Sequence, residues 1–140
     1  MKDKVQLRVE CERAFAVIED GADLVEALKY IAEKLGEGLW AVVSGVGMLR
    51  DAELGVFNAE RGEYDRRTFS EPLELLALSG TLNHGDEPFY HLHAVLGQHD
   101  FTAVGGHLFK ATVHNTLELA LLKTYVKGKR EGERKLLKLA

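Results

Sequence analysis

The chain is poor in residues that stiffen small folds covalently or by fixed backbone. Among 140 residues there is one cysteine, Cys11. A single thiol excludes an internal disulfide and a cysteine-rich zinc knuckle, and it makes a reducing cytosol the expected compartment. Only two prolines occur, Pro72 and Pro88, and no Ser/Gly-rich linker divides the sequence. A single domain over residues 1–140 is therefore expected. A surplus of positive charge is also missing, since 18 Lys and Arg stand against 22 Asp and Glu, a formal net charge of −4. Phosphate backbones are held by clustered Lys and Arg, so direct nucleic-acid binding is not expected. The best apolar run, "LWAVVSGVGML" at 39–49, is too short to cross a bilayer and contains Ser44, Gly45 and Gly47. The N-terminal "MKDKVQLRVE" alternates charged and apolar residues and lacks the apolar centre of a signal peptide.

What is present suffices for a sizeable core, because 46% of the residues are hydrophobic. "RAFAVIED", residues 13–20, reads as a strand ending in the turn signal Asp20–Gly21. A helix follows over 23–35. Leu24, Leu28, Ile31 and Leu35 recur at helical spacing, Asp23 suits the N-cap with Glu26 three residues on, and Gly36 suits the C-terminal stop. Further strands are expected at 39–46, 50–58, 73–82, 89–97 and 103–113. The segment "HNTLELALLKTYV" is ambiguous: Asn115 and Glu118 resemble a helix cap, whereas Leu117, Leu119 and Leu121 alternate like a strand. The tail "KGKREGERKLLKLA" reads as a polar turn and a short terminal element. One early helix followed by many strands predicts an α+β domain with a largely antiparallel sheet.

Three of the six histidines stand at the start, third place and end of "HLHAVLGQHDFTAVGGH", residues 91–107. His91 and His93 are two apart on an expected strand and so share a face. A hairpin centred near Asp100 without a bulge sets His107 opposite His93, with Cβ atoms about 5 Å apart. Tyr90, Leu92, Ala94, Leu96, Val104 and Leu108 then fall on the other face, as core. Gly105 and Gly106 leave space beside the histidines, or they mark a bulge that breaks this register. Three converging imidazoles suit zinc and other late first-row metals and leave a position open for water or a ligand. The plain alternative is three unrelated polar side chains on a half-exposed strand, and spacing alone supports both. His84 and His99 fall in turns, and nothing places His114 beside the cluster.

Other motifs are incomplete. "SGVGML" lacks the third glycine of a dinucleotide fingerprint, and Ser44 lacks a nucleophile elbow. Cys11 stands between Glu10 and Glu12, whose charge disfavours a thiolate. The run "KGKREGERK" reads as a solvated turn, with a weak patch for an anionic partner behind that reading.

The stretches "DGADLVEALKYIAEKLG", "AVVSGVGMLRDAELGVFN", "EPLELLALSGTLN", "HLHAVLGQHDFTAVGGHL" and "HNTLELAL" resemble, in order and spacing, the plant and prokaryote conserved (PPC) domain family. The resemblance covers about residues 13–138. It implies a metal site at His91, His93 and His107, a strand over 116–126, and a compact α/β sandwich-like domain that assembles as a homotrimer. Plant members add an Arg-Gly-Arg-Pro minor-groove element, which is missing here. Their partner-recruiting Gly-Arg-Phe-Glu-Ile-Leu corresponds to "EPLELL" at 71–76, where only Glu74 and the last two apolar positions agree. The family fold is also similar to that of acetolactate decarboxylase, which holds zinc with a His-x-His pair and a third histidine. The resulting expectation is a trimeric, cytoplasmic, zinc-binding assembly or partner-binding module. Two alternatives stand beside it: a small metalloenzyme acting on a carboxylate-containing metabolite, and a DNA-associated regulator. No acid–base pair is identifiable, so catalytic activity stays open.

Overall fold

A computed structural model describes residues Met1–Ala140. In chain order the elements are β1 (Val5–Glu10), β2 (Arg13–Glu19), α1 (Leu24–Leu35), β3 (Leu39–Asn58) and β4 (Glu63–Phe69). Then follow β5 (Leu73–Asn83), β6 (Tyr90–Gly97), β7 (Ala103–Lys123), β8 (Gly128–Glu131) and β9 (Leu136–Leu139). Seven strands form one sheet in the order β1-β2-β7-β6-β5-β3-β4, and every pairing is antiparallel. β7 also pairs with β3, so β3, β5, β6 and β7 close on themselves. This is the expected α+β class with a single helix. β8 and β9 form a separate hairpin.

The helix begins where its cap predicts. The Asp23 side chain accepts from the Glu26 backbone N–H at 3.0 Å, and the Gly36 N–H closes the last turn on the Ala32 carbonyl. Leu24, Ala27, Leu28, Ile31 and Ala32 point into the core, joining Ile18, Leu92, Leu96, Leu108, Leu117 and Leu119 in one cluster. Truncating any of these buried leucines to Ala would cost about 2–5 kcal/mol. The helix covers only part of the sheet. Phe15, Val43, Val46 and Leu122 remain exposed on strands.

Three sequence expectations are corrected. The strands expected at 39–46 and 50–58 are one strand of 20 residues, and those at 103–113 and 116–126 are one strand of 21 residues ending at Lys123. The chain bends within them instead of turning. Register shifts interrupt β3–β7 between Val42 and Ser44, Gly47 and Met48, and Arg50 and Glu53, and Asp51 and Asn115 take positive φ of 51° and 62°. A polar latch holds these bends. Arg50 donates to His114 Nδ1 at 2.7 Å, to Asp20 Oδ1 at 3.0 Å and to the Val113 carbonyl at 3.3 Å. Asp20 also accepts from the Asn115 N–H at 2.7 Å. That bond first, then Arg50, holds the Asp20 carboxyl below its usual range. The third correction is β4, which was missed. "EYDRRTF" is an edge strand with almost no buried side chain, so it lacks the apolar alternation that marks strands.

Candidate metal centre

β6 alternates cleanly, with Leu92, Ala94 and Leu96 buried and His91, His93 and Val95 outward. The hairpin to β7 is regular, and His93 pairs directly with His107. The predicted register therefore holds, and no bulge falls at the two glycines. Ring centroids of the three histidines are 5.4 Å apart for His91–His93, 5.4 Å for His91–His107 and 5.8 Å for His93–His107. One nitrogen from each ring lies within 4.8 Å of the others. His84 and His99 stay in turns and His114 in the latch, so none of them joins the group.

Small residues make the arrangement possible. Gly80 lies opposite Leu92, between the partners of His91 and His93. Its φ is +145°, and a Cβ there would lie 1.9 Å from the His91 carbonyl oxygen. Gly55 pairs with His107, and a Cβ on it would come within 2.5 Å of the Phe109 ring. Its missing side chain leaves room for the aromatic packing around His107, where Phe109 and Tyr64 lie 4.7 and 4.8 Å from the imidazole. Gly106 is corrected from its expected role. It does not open space at the patch but lets β3 approach, since a Cβ would meet the Gly55 carbonyl oxygen at 2.6 Å.

The electrostatics favour the neutral form of His107 and His91. Loss of water around His107, then His91 and His93, then Arg66 and Arg130, push its pKa down to about 4. His91 is lowered as well, by desolvation first and then by Arg130 and His93. A neutral imidazole is the form that ligates a metal. His107 Nδ1 is buried without a hydrogen-bond partner. A buried polar atom left unpaired costs about 1–3 kcal/mol. The donor set, three imidazoles on one face, fits a late divalent metal.

Beside His91 and His107 opens a pocket of about 540 Å3, which the sequence did not announce. Its walls include Phe57, Tyr64 and Phe109, with Arg66 from β4 and Arg130 and Arg134 from the C-terminal hairpin. The one sequence signal was the basic "KGKREGERK" run, read mainly as solvated turn. That run instead includes β8 and the β8–β9 turn. Tyr90 also lines the pocket, but its hydroxyl donates to the Phe109 carbonyl at 2.6 Å, and desolvation raises its pKa.

Fold and site together define a class: a small, closed antiparallel β-domain with one covering helix and a three-histidine cluster on its outer face. The Plants and Prokaryotes Conserved (PCC) domain matches residues 9–124, and the chain belongs to that family. Solved structures agree. A plant- and prokaryote-conserved (PPC) protein from Pyrococcus horikoshii is 25% identical with a TM-score of 0.78, over 96% of this chain and 92% of that one. A metal-containing protein from Archaeoglobus fulgidus is 29% identical with a TM-score of 0.77, over 96% of both chains. A "putative dna binding protein" from Bacteroides thetaiotaomicron has a TM-score of 0.83 over 98% and 97%, at 22% identity, which is a likeness of fold. No curated protein sequence matches the chain.

Proposed function

We propose that this chain is a metal-binding PPC domain whose His91, His93 and His107 hold one divalent ion, zinc by preference, within a cytoplasmic homotrimer. The observation that carries this reading is the convergence of the three rings, with one nitrogen of each within 4.8 Å of the others. Nitrogens bound to tetrahedral zinc at about 2.0–2.1 Å lie roughly 3.3 Å apart, so the rings need only close inward on the ion. The 29%-identical Archaeoglobus relative, described as metal-containing, adds support. A bound ion would supply Lewis acidity at a position that three protein ligands leave free. The core-facing residues of the same strands keep the ligand strands in register.

Self-association is supported by the exposed Phe15, Val43, Val46 and Leu122, apolar strand surface that the single helix leaves uncovered. Three-fold closure buries such surface without growing a filament, and the number three rests on the family resemblance. Sedimentation equilibrium should give three times the 15.6 kDa chain mass, and a species at one or two times that mass would overturn the trimer.

An assembly or partner-binding role is the first reading. A metalloenzyme acting on a carboxylate-containing metabolite is the second, favoured by the pocket that adjoins His91 and His107. Direct duplex-DNA binding is expected to be no better than non-specific, given the net charge of −4. The deciding experiment is elemental analysis after dialysis. Wild-type protein should retain stoichiometric metal and His93→Ala should lose it. Equal metal content in both would sink the proposal.

A further inference from the structure

The pocket beside the histidines carries a charge that the protein as a whole does not. Four cationic and two acidic side chains line it, in a chain of net charge −4. Two of the arginines are already seated on aromatic walls. The Arg66 guanidinium lies 3.6 Å over the Phe109 ring and donates to Glu53 Oε1 at 3.1 Å. The Arg134 guanidinium lies 5.0 Å over Phe57. Stacking fixes the plane of a guanidinium while leaving other N–H groups free to donate.

The hairpin that brings Arg130 and Arg134 is anchored, not loose. Asn83 and Asp86 are the buried polar side chains of the protein, and both serve this junction. Asn83 Nδ2 donates to the Gly128 carbonyl at 3.0 Å and to Asp86 at 2.9 Å. The Asp86 carboxylate accepts from the Arg130 backbone N–H at 3.1 and 3.2 Å and from the Glu87 N–H at 3.0 Å. A buried carboxylate is costly unless paired, and here its two bonds from the Arg130 N–H tie β8 to the turn after β5. The hairpin lies beyond residues 9–124, the part matched by the family.

We infer that the β8–β9 hairpin completes a recognition site for a small organic carboxylate with a flat apolar body, held by Arg130, Arg134 and Arg66 beside the three histidines. A guanidinium fork matches a carboxylate with two parallel N–H···O bonds. The aromatic walls fit an apolar body, which inorganic phosphate would leave unfilled. Glu63 and Glu133 on the same lining oppose a polyphosphate or nucleic-acid backbone. The volume of about 540 Å3 suits one metabolite-sized molecule. The arginine subsite stands without metal. Only its strengthening by zinc rests on the metal reading above.

The probe is phthalate, a flat ring with two carboxylates, titrated calorimetrically into metal-free and zinc-loaded protein. The variant is Arg130→Ala with Arg134→Ala. Arg130 anchors the hairpin to the body through its backbone N–H, which the substitution keeps, while the side-chain bond to the Lys135 carbonyl at 3.1 Å within the hairpin is lost. Wild type should bind phthalate in both forms, more tightly with zinc, and inorganic phosphate at least 10-fold more weakly. The double variant should lose at least 10-fold in phthalate affinity in both forms while retaining the wild-type zinc content. Equal phthalate affinity in wild type and variant, no phthalate binding by either metal-free or zinc-loaded wild type, or phosphate binding as tightly as phthalate would each overturn the inference. If zinc is not retained but metal-free phthalate binding still depends on the arginines, the metal reading fails and the carboxylate site stands.

Discussion

His107 and His114 lie on the same strand, yet their surroundings set them apart. His114 Nδ1 accepts a 2.7 Å bond from Arg50, whose guanidinium also binds Asp20 and the Val113 carbonyl. That ring nitrogen is occupied in holding the bend of β7 against β3. His107 Nδ1 is buried and has no partner, and the ring sits between two further histidines and two aromatic side chains. The difference lies in neighbours supplied across strands. β3 and the turn after β2 give His114 a guanidinium and a carboxylate, whereas β6 gives His107 two more imidazoles.

Removing each ring in turn should separate the two environments most clearly. His107→Ala should weaken zinc binding by more than about 100-fold in a chelator competition, beyond the 10–100-fold typical of losing an outer-shell partner. His114→Ala should leave zinc affinity unchanged and cost about 1 kcal/mol of stability from the lost hydrogen bond. Comparable losses of zinc in the two variants would erase the distinction.

Gly80→Ala sharpens it from the backbone side. A methyl group 1.9 Å from the His91 carbonyl oxygen forces β5 and β6 apart at the cluster. Urea unfolding should show a loss of more than about 3 kcal/mol, because both φ and space are unsuitable there. A change below 1 kcal/mol would show that the strands yield easily at this point.

Acid should produce a smaller effect than Gly80→Ala. His107 titrates at about 4 in the folded protein, against 6.5 for a free histidine, and His91 is lowered in the same direction. Between those values the unfolded chain binds more protons, so stability rises with pH and falls on acidification. Metal-free protein should lose about 1–2 kcal/mol between pH 6.5 and 4, solvent screening of a half-exposed ring keeping the figure low. His107→Ala should flatten that slope in denaturant titrations at several pH values. An unchanged slope would mean that His107 is not the titrating group.

Much of this was legible in the residues. The cap at Asp23, the stop at Gly36 and the leucine spacing between them specify α1, and all three are local signals. The His-x-His spacing set two rings on one face, and the length of the hairpin loop set His107 opposite His93. β4 was illegible, because an edge strand with both faces near water has no reason to alternate. The long bends of β3 and β7 were read as breaks, since Gly47 falls between the strands expected at 39–46 and 50–58 and Asn115 resembles a helix cap, until the partner strand shows a register shift there.

Local sequence specifies the helix and the inward and outward faces of β6, and it allows a triangle of histidines where the β6–β7 hairpin is free of a bulge. Those features depend on a period of two or of 3.6 and on a short loop, all encoded within a few neighbouring residues. Long-range packing set the pairing of β7 with β3 as well as β6 and tied His114 into a latch. It alone decided that a charged tail would fold back to line a pocket beside His91 and His107. Each of those outcomes depends on groups distant in sequence, such as Asp86 with Arg130 and Arg50 with His114. Their hydrogen bonds form only after the core has brought the strands together, so no local pattern records them.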